Sequence, residues 1–142
     1  MRTKGTLSQE VPMILDTTFL VDLIDGLPAA ITKMKELQER QENVFVSTPT
    51  IFELWTGVAQ CDKPEREKQK VREVLASQLI LDLTKEGAEE AGMVNGGLWK
   101  EGMPIDPEDC MIAGIAKCYN ELVLTRNLKH FQRIPGIRLQ TY

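Results

Sequence analysis

VPMILDTTFLVDLI, residues 11–24, is the stretch on which the fold turns. Its first half is an apolar run of a length that suits a buried strand, and its second half spaces its apolar residues as a helix does. Between the two stands Asp16, followed by two threonines. An ionised carboxylate beside a core is costly unless hydrogen bonds, an opposite charge or a cation compensate it. The stretch therefore calls for a strand, a helix and something that offsets Asp16.

The same alternation recurs downstream. Short apolar runs, MIL (13–15), VFVS (44–47), LILDL (79–83), LVLT (122–125) and IRLQ (137–140), are separated by longer segments of helical periodicity. That pattern predicts an α/β fold built on a parallel sheet of four to five strands. Helices are expected at about 17–25, 29–42, 49–60, 64–77, 85–100 and 108–119. Pro28, Pro49, Pro64 and Pro107 stand near four of the starts, where a missing N–H costs nothing. The charged run CDKPEREKQKVREV (61–74) is expected to be a solvated helix face with i,i+4 pairs.

A chain of 142 residues is the right size for one domain with a real core. Residues 1–10 are polar and are expected to form a flexible tail, leaving 11–142 as the domain. The tail lacks the apolar core of a secretion signal, and no segment approaches the roughly 20 apolar residues of a membrane span. Three cysteines without a CxxC pair, beside a single histidine, fit free thiols in a reducing compartment better than a closed zinc site. A cytoplasmic protein is expected. A net charge of -4 argues against binding duplex nucleic acid through a broad basic face.

In an open parallel sheet, ligands bind beyond the carboxyl ends of the strands. Four polar residues fall there: Asp16 after the first strand, Glu53 one turn into the helix after the second, Asp109 in the first turn of the helix opened by PIDPEDCMIAGIA, and Asn127 after the fourth. Each has an ordinary explanation. Asp16 could cap the helix at Thr17, Thr50 and Glu53 match a capping box, and Asp106 with Asp109 matches an acidic first turn. None of these explains why oxygen-bearing side chains recur at one edge of one sheet. Carboxylates brought together raise one another's pKa unless a divalent cation lies among them. An all-oxygen set, with Thr17 and Thr125 nearby, selects hard cations such as Mg²⁺ or Mn²⁺. Such cations serve phosphodiester chemistry, activating a water and stabilising charge on the attacked phosphate.

ILDTTFLVDLI, STPTIFELWTG and GMPIDPEDCMIAGIAKCYNELVLTRNLKHFQRIPGIRL, in that order, resemble the PIN domain family and, within it, the VapC-like toxin nucleases of toxin–antitoxin pairs. The likeness covers nearly the whole chain after the tail. It implies a three-layer α/β/α sandwich and a Mg²⁺- or Mn²⁺-dependent endoribonuclease. The family's acidic positions fall on Asp16, Glu53 and Asp109, and its fourth, often Asp, is Asn127 here. A neutral Asn cannot balance a second dication, so one metal held by Asp16 and Asp109 is expected, with Glu53 orienting or deprotonating a water.

Asp106 is expected to cap its helix or to stand outside the metal shell. Thr17 would support Asp16 or a water, and Thr125 would orient Asn127. Arg126, Lys129 and His130 form the basic cluster beside the acids and could meet a phosphate, although His130 and Phe131 could equally be a turn packed by the ring. Trp55 and Trp99 could stack bases but are expected in core or interface. The resemblance further implies an RNA substrate, a homodimer and a small antitoxin placing a basic group in the acidic pocket, with VDLIDGLPAAITKM (21–34) and IFELWTGV (51–58) as the surfaces. A receiver-like or phosphatase-like domain fits less well, because Thr18 stands where a phosphatase wants its second acid and Arg126 where a receiver wants lysine. A degenerate PIN fold serving only as an interaction module is the remaining alternative.

Overall fold

The computed structural model describes residues 12–142; the tail expected over 1–10 lies outside them. Five strands form a single all-parallel sheet in the order β3-β2-β1-β4-β5. They are β1 (Met13–Leu15), β2 (Val44–Ser47), β3 (Leu79–Leu81), β4 (Leu122–Leu124) and β5 (Arg138–Gln140). The helices are α1 (Thr17–Ile24), α2 (Pro28–Glu39), α3 (Thr48–Gln60), α4 (Pro64–Ala76), α5 (Lys85–Lys100), α6 (Pro107–Tyr119) and a single turn, α7 (Leu128–Phe131).

β1 is apolar at every position because both its faces are covered, as in other parallel sheets. Met13 and Leu15 pack with Phe19 and Leu20 of α1, Met34 and Leu37 of α2, Leu54 of α3 and Val71 of α4. Ile14 points the other way, to Ala91 of α5, Ile112 and Ile115 of α6 and Phe131 of α7. The expected three-layer α/β/α sandwich follows. The chain leaves β1 for β2 and β3 on one side, then returns to place β4 on the other. The crevice where the order reverses, between the ends of β1 and β4, is where ligands bind in such sheets.

The strands fall where the apolar runs predict them, with local differences. β3 stops at Leu81 rather than 83, because the Leu83 N–H leaves the ladder and donates to Thr48 Oγ1 at 3.0 Å. α2 ends at Glu39 rather than 42, where Gln41 takes a left-handed conformation (φ 55°) and Glu42 N–H closes on Leu37 O at 3.1 Å. α7 is an addition to the expected elements, since four residues carry no periodicity. On α4 the charge pairs are Lys68–Glu65 and Lys70–Glu67, spaced i,i+3 instead of i,i+4.

α6 is held against α5 at unusually close range. A Cβ on Gly114 would collide with Gly87 O and lie 2.9 Å from Ala91 N, so only glycine lets the backbones approach this far. That contact sets where the first turn of α6 stands relative to the sheet.

Candidate active site

Asp16 leaves the end of β1 anchored by its own N–H, which donates to Leu124 O of β4 at 2.9 Å. It occupies the N-cap position of α1, yet its side chain does not cap the helix. Oδ2 instead accepts from Thr18 Oγ1 at 2.8 Å and Thr125 Oγ1 at 2.7 Å. Oδ1 is buried and has no partner, and the residue is 1% exposed. An ionised oxygen left so is costly, and it is the atom a cation would satisfy.

The capping expected of Thr50 and Glu53 is also absent. Ser47 is the N-cap of α3, with its hydroxyl accepting from Thr50 N–H. Glu53 is thereby free to accept from Thr17 Oγ1, which also lies 3.0 Å from Thr50 Oγ1. Burial raises the Glu53 pKa, the Thr17 hydrogen bond opposes this, and the charges of Asp16, Glu108 and Asp106 add to the rise.

Asp109, in the first turn of α6, is 6% exposed. Its pKa is pushed to about 7 by burial, with Asp16 and Glu53 contributing and His130 opposing. His130 Nδ1 stands 3.2 Å from Asp109 Oδ2 and 2.8 Å from Asn127 Nδ2. Asn127 N–H donates to Thr125 Oγ1 at 2.8 Å, so one hydroxyl links Asn127 to Asp16. Thr125 therefore serves Asn127 through the backbone.

Asp16, Glu53, Asp109 and Asn127 thus share one end of the sheet, though not as one tight cluster. Among the described residues, the group whose ligand atoms all lie within 4.8 Å of one another is Asp106, Asp109 and His130. Asp106 holds the expected helix-cap position, but without a side-chain cap bond. His130 turns to the acids while Phe131 alone packs the core. Nothing in the local sequence distinguishes these two roles, because α7 meets α6 only through the tertiary fold.

The guanidinium of Arg126, expected to meet phosphate, is engaged at two points by Asp22 of α1, Nε to Oδ2 at 2.7 Å and Nη2 to Oδ1 at 3.0 Å. Tyr142 also donates to Asp22 Oδ2. Burial alone would raise Asp22, but the hydrogen bonds from Arg126 and Tyr142 outweigh it and lower its pKa. Lys129 is exposed on α7. Of the tryptophans, Trp55 packs at the core margin under Arg72, 5.6 Å from its ring centroid. Trp99, expected in core or interface, is 65% exposed, since it lies on the outer face of α5.

A parallel α/β sandwich with buried acids gathered at its topological switch point is an arrangement whose side chains could hold a cation. Residues 13–137 match the family model for the PIN domain, and the chain belongs to that family. It is 32% identical to the tRNA(fMet)-specific endonuclease VapC of Salmonella typhimurium over 91% of this chain and 96% of that protein. It is 26% identical to Ribonuclease VapC2 of Haemophilus influenzae, with the same coverage. Among solved structures, VapBC2 from Rickettsia felis bound to a DNA fragment from their promoter superposes with a TM-score of 0.83 at 25% identity, over 92% of this chain and 98% of that one. DNA-bound VapBC from Salmonella typhimurium does so at 0.82 and 30%, with the same coverage.

Proposed function

We propose that the domain spanning 11–142 is a Mg²⁺- or Mn²⁺-dependent endoribonuclease, the toxin of a toxin–antitoxin pair. The observation that carries this is Asp16: a nearly inaccessible carboxylate with one oxygen unpartnered, close enough to Asp109 to raise its pKa. A divalent cation bound there would supply Lewis-acid charge to a phosphodiester and would lower the pKa of a water. Asp16 and Asp109 would hold it. Glu53, kept in place by Thr17 with its pKa shifted upward, is the group placed to take a proton from a water. Asn127 fixes the Asp109–His130 side of the site, and exposed Lys129 meets a flanking phosphate.

The names of the relatives support RNA as substrate, and initiator tRNA is the first RNA to test. The similar VapBC complexes support an antitoxin partner. Val21, Ile24, Leu54, Val58 and Val71 line a hollow between α1, α3 and α4 that opens beside Glu53, which suits an apolar segment bringing a basic group to the acids. A homodimer and a cytoplasmic location complete the proposal; among the described residues no helix is long and apolar enough to cross a membrane.

Calorimetry with Mn²⁺ on wild type, Asp16→Asn and Asp109→Asn tests the site without a choice of RNA. Binding weakened at least tenfold by both, about 1.4 kcal/mol, followed by metal-dependent cleavage of tRNA, supports the proposal. A folded, partner-free wild type that binds no Mn²⁺ at millimolar concentration overturns it in favour of the non-catalytic interaction module.

A further inference from the structure

Asp22 of α1 is met by two distant parts of the chain at once. Arg126, which follows β4, grips it at two points, Nε to Oδ2 at 2.7 Å and Nη2 to Oδ1 at 3.0 Å. Tyr142, two residues beyond β5, donates its hydroxyl to Oδ2. The Tyr142 ring stands edge-on to buried Phe19, with centroids 4.8 Å apart and planes at 81°. The Asp22 side chain is 10% exposed, so these partners compensate its charge, whereas that of Arg126 is 57% exposed. A planar guanidinium held at both ends is fixed in orientation, and so is the backbone that carries it.

That backbone is the stretch 125–127, which lies between β4 and the single turn α7 and has no regular structure of its own. Two of its amides rest on hydroxyls. Arg126 N–H donates to Thr18 Oγ1 at 3.3 Å, and Asn127 N–H donates to Thr125 Oγ1 at 2.8 Å. The same two hydroxyls give their protons to Asp16 Oδ2, at 2.8 and 2.7 Å. A hydroxyl has one proton to give, so accepting from an amide leaves each of them free to donate to Asp16. Displacing 125–127 therefore disturbs both bonds to Asp16. Asp22 and Tyr142 oppose that displacement, although neither hydrogen-bonds to Asp16, Glu53 or Asp109.

Resting on the reading of the acids as the reaction centre above, we propose that Asp22 and Tyr142 are positioning residues: through Arg126 they hold 125–127 where two hydroxyls stay on Asp16. Arg126 then serves the site as a strut and not as a phosphate ligand, and Tyr142 ties the end of β5 to the acids. Neither Asp22 nor Tyr142 is among the residues that the sequence assigns to the site, because the contacts that recruit them span 104 and 120 residues.

The test uses the full chain as wild type, Asp22→Asn, Arg126→Gln and their double variant, with Tyr142→Phe removing the hydroxyl alone. Circular dichroism checks that each is folded. NMR relaxation of the metal-free proteins should give order parameters of about 0.85 for the Arg126 and Asn127 amides in wild type, falling below about 0.6 at position 127 in Asp22→Asn and Arg126→Gln while Val123 is unchanged. Calorimetry should show Mn²⁺ affinity at least about threefold lower in each of these two and no lower in the double variant, because both break one contact. With initiator tRNA, kcat should fall about tenfold and KM stay within about twofold, as a loss of position without a loss of binding requires. Tyr142→Phe should move every readout the same way by less. Wild-type order parameters retained in both Asp22→Asn and Arg126→Gln overturn this inference. So does an Arg126→Gln variant that raises KM and keeps kcat, which returns the guanidinium to the RNA. Either result leaves the proposed function standing, whereas a folded wild type that binds no Mn²⁺ overturns both.

Discussion

Asp109 and Glu121 stand at the two ends of one helix and reach similar acidity by different routes. Asp109 opens α6 at the carboxyl edge of the sheet, and its pKa of about 7 comes from burial with the charges of Asp16 and Glu53 added. Glu121 follows α6 at the opposite edge, is 5% exposed, and reaches about 7 through burial alone. Its Oε1 has no partner. One acid has other acids and a histidine acting on it, a setting that a cation can neutralise. The other has no neighbouring acid acting on it, and a proton suffices. Perturbed acidity alone therefore does not mark a functional site here; the company the acid keeps does.

Gly114, midway along α6, couples the two ends, and replacing it should have the largest effect. Gly114→Val drives a side chain into Gly87 O and should cost about 3 kcal/mol by forcing α5 and α6 apart. A urea midpoint measures this, and a variant of wild-type stability would show that the close approach is dispensable.

Next comes Glu121. Its folded pKa lies above the ordinary 4.5, so its contribution to stability is complete below pH 4.5 and is lost as pH rises through about 7. Wild type should lose about 2 kcal/mol between pH 4.5 and 8 from this group. Glu121→Met, which substitutes an apolar chain of similar size, should flatten that part of the profile and exceed wild type in stability at pH 8. Equal pH slopes for the two proteins would refute the assignment.

Asp109→Asn sharpens the contrast from the other end. It should weaken Mn²⁺ binding at least tenfold, about 1.4 kcal/mol, whereas Glu121→Met should leave Mn²⁺ affinity unchanged by calorimetry. The smallest effect belongs to Asp22→Asn. Arg126 is more than half exposed, so losing its pair should cost less than about 1 kcal/mol and matter less in high salt, as thermal melts at two ionic strengths would show.

Much of the frame is legible in the sequence. The apolar runs at 13–15, 44–47 and 122–124 form β1, β2 and β4, because strands buried on both faces must be apolar throughout. Asp16, Glu53 and Asp109 can be assigned to one edge of the sheet from the sequence alone, since each follows a predicted strand or opens a predicted helix. Thr18 and Thr125, which hold Asp16, lie 2 and 109 residues from it, and only the first distance is local enough to suggest itself.

What the sequence determined by itself was periodicity: an apolar period of two or of 3.6 is local, and it fixes which residues build strands and helices and which polar residues end them. What the tertiary structure alone decided was company. Arg126 meets Asp22 across 104 residues, Tyr142 meets Asp22 across 120, and His130 meets Asp109 across 21. Such pairings depend on the order in which strands join the sheet and on how closely α6 lies against α5. No short-range pattern encodes either, because both are set by packing among elements far apart in the chain.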